Sequence, residues 1–154
     1  MKVPKLPLTL EEKARLRKKK ITLADITSLS TNQLRDTIGS SIQRAIKLKG
    51  LAEFQQVPSI GQKLAEKLVY ELEVFSLAAI REEDGARLFD ALEIKLGVWT
   101  DPCVEDQIRC VIHFANYPDS KRQWFDFTNE RKIYRETYGY PNTRPTKAWF
   151  EESS

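Results

Sequence analysis

The chain has 154 residues, of which 41% are apolar and 31% charged, a composition typical of a globular protein with one sizeable core or two small ones. No apolar run approaches the roughly 18 residues that a membrane span needs, and the first residues lack the apolar segment of a signal peptide. These features exclude a transmembrane protein, and we expect a cytoplasmic protein with no membrane partner.

The net charge of +3 conceals an uneven distribution along the chain. Residues 1–50 carry 12 lysines and arginines against 4 acidic residues, residues 51–117 carry 6 against 12, and residues 118–154 carry 7 against 6. We take these stretches as a basic N-terminal helical unit, a central helical unit, and an aromatic-rich C-terminal helix and tail packed on the domain. The basic first stretch indicates a polyanionic partner.

The first helix is predicted from a capping box, in which Thr9 and Glu12 begin a helix that runs to about Lys20. Its end is a run of cations: Arg17, Lys18, Lys19 and Lys20. Cations stabilise the negative end of a helix dipole, so a solvated helix end is one interpretation. A phosphate-binding patch is the other, because the run holds more cations than a helix end requires.

Three short helical segments are predicted next. Thr22 begins a short helix, Ser30 begins a second that ends at Gly39, and Ser41 begins a third that reaches Phe54. The third helix presents Arg44 and Lys47 on its outer face, and both are candidate phosphate-binding residues.

Residues 54–72 predict a helix, a hairpin turn and a second helix. Pro58 ends the first helix, and Gly61 is expected to supply the backbone freedom of the turn. Ser59 and Gln62 fit a capping box for the second helix. A glycine-containing turn before a helix start suits an anion such as phosphate, but an ordinary structural hairpin of two helices has the same spacing.

The remaining chain continues the helical pattern. T-L-A-D-I at 22–26 is repeated as S-L-A-A-I at 76–80, which predicts two related helical units. Helices are expected over about 83–96, from Asp101-Pro102 to about 116, and over 128–138. The aromatic and basic residues after residue 118 could stack nucleobases, although such aromatics more often hold a tail on its own domain.

The hairpin V-P-S-I-G at 57–61, followed by L-A-E-K-L at 64–68, resembles the helix-hairpin-helix DNA-binding motif, with Ser59 in place of the motif's first glycine. The resemblance implies that Ile60, Gly61, Gln62 and Lys63 contact DNA phosphates. Residues 101–118 and 123–132 are similar to the bacterial pathogenicity-locus or mitomycin-resistance-type helix-hairpin-helix proteins. This resemblance implies an all-α, compact multi-helix fold built on helix-hairpin-helix (SAM-like) units.

Residues that could support catalysis have simpler explanations. Cys103, Cys110 and His113 lack the paired spacing and the fourth ligand of a structural zinc site, and buried core cysteines fit their positions better. Asp101, Glu105 and Asp106 could seed a magnesium-dependent nuclease site, but acids in a first helical turn also complement the helix dipole. We therefore expect no enzyme, no catalytic residue, no metal and no cofactor.

Two functions follow from the sequence. The first is a sequence-nonspecific DNA-binding protein, with a role in DNA repair or recombination, which contacts the phosphate backbone. The alternative is a protein-interaction module whose hairpin is only structural, which the acidic middle third and Ser59 favour.

Overall fold

The computed structural model describes residues 2–151, and its regular elements there are all helical, as the sequence predicts. One isolated parallel β-bridge joins Trp99 and Ala148. The α-helices are α1 Leu10–Lys18, α2 Thr31–Ile38, α3 Ile42–Phe54, α4 Gln62–Glu66, α5 Leu77–Ile80, α6 Gly85–Leu96, α7 Pro102–Asn116 and α8 Thr128–Tyr138. Two 3-10 helices (Leu23–Ser28 and Trp124–Phe127) and one π-helix (Lys67–Glu71) complete the set.

Capping side chains begin most of these helices where the sequence predicts. Thr9 and Glu12 form the expected capping box at α1, and Ser30 and Gln33 form another at α2. Asp101 accepts a hydrogen bond from the Cys103 amide at 2.9 Å and begins α7. Each of these side chains satisfies a backbone amide that has no partner inside its helix.

The chain divides into two units, residues 1–77 and residues 78–154. The charge distribution along the sequence predicts divisions after residues 50 and 117. In the first unit, α3 packs against α2, the first 3-10 helix, α4 and the π-helix, so it belongs to one core with the hairpin that follows it. That core includes the fully buried Leu34, Leu51, Phe54 and Leu68.

The second unit is built on α6, α7, the second 3-10 helix and α8. Its apolar core includes Phe89, Leu92, Ile108 and Val111, all inaccessible to solvent. The two repeated stretches, at 22–26 and 76–80, each fall on a short helix that precedes a longer one: the 3-10 helix Leu23–Ser28 precedes α2, and α5 precedes α6. Among the described residues, none of the helices combines the length and apolarity needed to cross a bilayer.

Candidate nucleic-acid interface

The end of α1 carries the basic run that the sequence singles out, Arg17, Lys18, Lys19 and Lys20. All four side chains are exposed. In the part of the chain that the structure describes, none of the ion pairs involves any of them. The basic run is therefore a local concentration of positive charge without a compensating carboxylate.

Backbone geometry holds the basic run in a tight turn. The Ile21 amide donates to the Leu16 carbonyl at 3.0 Å, and the Lys20 amide donates to the Arg17 carbonyl at 2.9 Å. This pair of bonds is the Schellman pattern that closes a helix, and it requires a left-handed residue after the cap. Lys20 takes that position with a φ of 59°, where glycine is the usual residue.

Arg44 is tied to the protein itself. Its guanidinium donates to both carboxylate oxygens of Glu12, at 2.7 and 2.8 Å, and to the Pro7 carbonyl at 2.9 Å. The hydrogen bonds from Arg44 lower the pKa of Glu12 to about 2, against the opposing effect of burial. Arg44 thus links α3 to α1, whereas Lys47, one turn further along α3, is exposed.

Ile60, the first of the four predicted hairpin contacts, faces inward. Its side chain is 1% exposed, and its amide donates to the Val57 carbonyl at 3.1 Å. Gly61 and Lys63 are exposed, and Gln62 is half-buried. Gly61 is the N-cap of α4, which has no side-chain cap, so the first amides of this helix keep their donors without an intrahelical acceptor.

Two expectations about the hairpin turn are wrong. The left-handed residue is Ser59, with a φ of 65°, whereas Gly61 has an extended backbone with a φ of −110°. Ser59 also does not cap α4, since the N-cap residue is Gly61 and no side chain caps this helix; the Ser59 hydroxyl donates to the Pro58 carbonyl at 2.5 Å. The turn therefore places the strained conformation at the position where the helix-hairpin-helix motif has its first glycine.

The N-terminal arm holds the hairpin, a contact that the sequence analysis missed. The Lys2 ammonium donates to the carbonyls of Val57 and Ile60 at 3.0 and 2.9 Å. The buried Gln55 side chain accepts from the Lys5 amide and donates to the Lys5 carbonyl, each at 2.9 Å. These partners lie about fifty residues apart in sequence, so no local pattern could indicate them.

The acidic residues of α7 are paired with arginines. Glu105 and Asp106 are fully buried, and Asp106 accepts from Arg131 at 2.9 Å and from Thr128 at 2.8 Å. Glu105 accepts from Arg109 and from Arg135. Residues 2–151 contain no cluster of three or more metal-ligating side chains. These carboxylates therefore hold the second unit together through ion pairs.

The cysteines and the single histidine of α7 also face protein. Cys110 is buried and Cys103 is partly buried. Burial raises the pKa of the Cys103 thiol, and burial together with the nearby Arg122 lowers the pKa of His113. The His113 ring packs against Tyr117 and Phe127, at 4.9 and 5.3 Å between centroids.

Comparison with known proteins gives one family. The family described as Cdd1, Pathogenicity locus, matches residues 47–133, which is more than half of the chain. The match covers the later part of α3, the hairpin, and α5 to the first part of α8. No curated protein and no solved structure gives a significant match.

Proposed function

The chain belongs to the pathogenicity-locus family, and we propose that it is a sequence-nonspecific DNA-binding protein that contacts the phosphate backbone. One observation carries the proposal: the basic run, Arg17 to Lys20, is exposed and has no ion-pair partner in residues 2–151. Exposed cations without internal partners release counterions from DNA at little structural cost.

The hairpin supports the same proposal in a smaller role. We assign it as a helix-hairpin-helix motif of the mitomycin-resistance type, in which Gly61, Gln62 and Lys63 orient a phosphate against the open amides of α4. The buried side chain of Ile60 supports the turn from below. Arg44 has a structural role in this proposal, because its hydrogen bonds go to Glu12 and Pro7 and the Glu12 carboxylate offsets its charge.

Salt titration tests the contribution of the basic run. Duplex DNA affinity is measured between low and physiological salt for the parent protein and for the triple variant Lys18→Gln, Lys19→Gln, Lys20→Gln. Each lost phosphate contact should lower the slope of log affinity against log salt by about 0.9, so the variant should lose a slope of roughly 2 to 3. Lys121→Gln, an exposed lysine in the second unit, is the matched control and should keep the parent slope. An unchanged slope in the triple variant would refute the proposal.

Gly61 gives a separate test of the hairpin. A Cβ at Gly61 meets no atom within 4 Å, and its φ is negative, so Gly61→Ala fits without a clash and the side chain of Gly61→Glu starts from an open position. Gly61→Ala should bind duplex DNA like the parent, whereas the carboxylate of Gly61→Glu should repel a phosphate and weaken binding. Equal affinity of these two variants would remove the hairpin from the interface and leave the basic run.

A further inference from the structure

A groove lies directly beside the basic run, between the end of α1 and the start of the first 3-10 helix. It has a volume of about 400 Å³ and opens to solvent. The residues that line it, called the basic groove below, are Lys13, Leu16, Arg17, Ile21, Thr22 and Leu23. The turn that closes α1 forms it, because the bond from the Ile21 amide to the Leu16 carbonyl folds the chain back toward the helix.

The basic groove combines an aliphatic floor with a cationic rim. Leu16 is buried, and Ile21 and Leu23 are partly exposed on the floor. Lys13 and Arg17 line the rim, and neither has a carboxylate partner in the described chain. A phosphate backbone would use the rim and leave the aliphatic floor in water, which DNA binding by itself does not explain.

We propose that the basic groove binds an acidic peptide segment of a partner protein, with one or two apolar side chains on the floor and carboxylates on the rim. Charge complementarity selects this occupant, because the rim is cationic and the floor accepts aliphatic or aromatic side chains. An unpaired nucleobase fits less well, since base recognition relies on aromatic stacking and the floor has no aromatic ring. This inference does not depend on DNA binding, although both partners use Arg17.

The probe is a short fluorescent peptide in which one Leu and one Phe, spaced for one helix face, lie among Glu and Asp residues. A control peptide keeps the acids and replaces both apolar anchors with Ser. Binding to the full chain is followed by fluorescence anisotropy. The peptide with Leu and Phe should bind at least about tenfold more tightly than the control peptide, because burial of its two apolar side chains adds affinity beyond that of the shared acidic residues.

Two variants connect this binding to the groove. Leu23→Ser should remove most of the anchor advantage while leaving duplex DNA affinity unchanged, with its fold checked by circular dichroism and thermal melting. Lys13→Glu, at an exposed position, should weaken binding of the anchored peptide about tenfold, whereas Lys121→Glu should leave that binding unchanged.

Specific results would overturn the proposal. Equal binding of the two peptides, or equal losses in the two charge-reversal variants, would reduce the groove to a nonspecific cationic surface. A dimer of the chain that Leu23→Ser dissociates would assign the groove to a second copy instead. If the parent protein binds the anchored peptide but does not bind duplex DNA, the proposed DNA-binding function is contradicted and the peptide-binding inference is supported.

Discussion

At the scale of single residues, the hairpin turn depends on Ser59 more than on Gly61. Ser59 occupies the left-handed region that favours glycine, and Gly61 occupies an extended region open to any residue. Lys20 lies in the same left-handed region at the end of α1, so a lysine, and with it a positive charge of the basic run, occupies a position that favours glycine. Both residues accept backbone strain in a conformation that favours glycine.

Ser59→Gly should therefore stabilise the protein by roughly 1 kcal/mol, because glycine adopts this conformation without steric cost. The free energy of unfolding in denaturant measures the effect. Ser28→Gly is the matched control at an exposed residue with negative φ, and it should lower stability, since there glycine only adds freedom to the unfolded chain. A less stable Ser59→Gly would show that the hydroxyl bond to Pro58 outweighs the strain.

At the scale of helices, the pair of Glu12 and Arg44 joins α1 to α3. Glu12 is 7% exposed, and it completes the capping box of α1 while it accepts both bonds from Arg44. Its carboxylate thus accepts a hydrogen bond from the Thr9 amide within α1's cap and, at the same time, hydrogen bonds from Arg44 in α3. This is why Arg44, a candidate DNA contact by sequence, is chiefly a structural residue.

The pKa of Glu12 gives a pH-dependent prediction. Because the folded-state pKa is about 2 and the ordinary value is 4.5, the pair stabilises the protein above about pH 4.5 and loses that contribution as pH falls toward 2. Glu12→Gln, which can still cap α1, should be less stable than the parent by about 2 kcal/mol near neutral pH, after allowance for solvent around Arg44. This difference should shrink on acidification.

Urea unfolding measured from neutral pH to about pH 2 checks this expectation. Arg44→Gln removes the other partner of the ion pair. The stability of this variant should therefore lack the part of the pH dependence that comes from the lowered pKa of Glu12. A stability gap between the parent and Glu12→Gln that stays constant with pH would contradict the lowered pKa of Glu12, and an Arg44→Gln variant with the full pH dependence of the parent would contradict Arg44 as its cause.

A second helix-scale feature is the attachment of α8 by charge. None of its residues is buried, yet Arg131 and Arg135, one turn apart, donate to the buried carboxylates of Asp106 and Glu105. The aromatic residue Tyr140 then packs on the guanidinium of Arg135 at 4.1 Å. The sequence indicates aromatics as anchors of the tail, whereas the structure shows arginines bound to acids, with aromatic rings stacked on them.

At the scale of the whole molecule, charge is divided between the two units. Residues 1–77 carry 14 lysines and arginines against 8 acidic residues, whereas residues 78–154 carry 11 against 14. Many cations of the second unit are also paired, including Arg109, Arg131, Arg135 and Arg144. The first unit therefore carries the positive potential that a polyanion would meet.

Hydrogen exchange with and without duplex DNA tests this division. Protection on DNA binding should fall within residues 2–77, near the end of α1 and the start of α4, and should disappear when salt is raised. Residues 78–151 should exchange at the same rates with and without DNA. Protection centred on the aromatic residues after 118 would instead favour base stacking by the tail.

The sequence by itself determined the helical class, most helix boundaries and the exposed basic run. These depend on local interactions: Thr9, Ser30 and Asp101 cap helices within three residues of their own position, and the amphipathic spacing selects the buried side chains. The exposure of Arg17 to Lys20 could be predicted from the sequence, whereas the absence of an ion-pair partner for them within residues 2–151 could not.

Only the tertiary structure decided what the charged and polar residues do. Arg44 pairs with a glutamate 32 residues away, Gln55 holds an arm 50 residues away, and Arg131 reaches an aspartate 25 residues away. Such partners are chosen by packing of elements that are distant in sequence, and no local spacing encodes them. The same packing placed Ile60 inside and left the basic run exposed, and so it separated buried side chains from exposed cations.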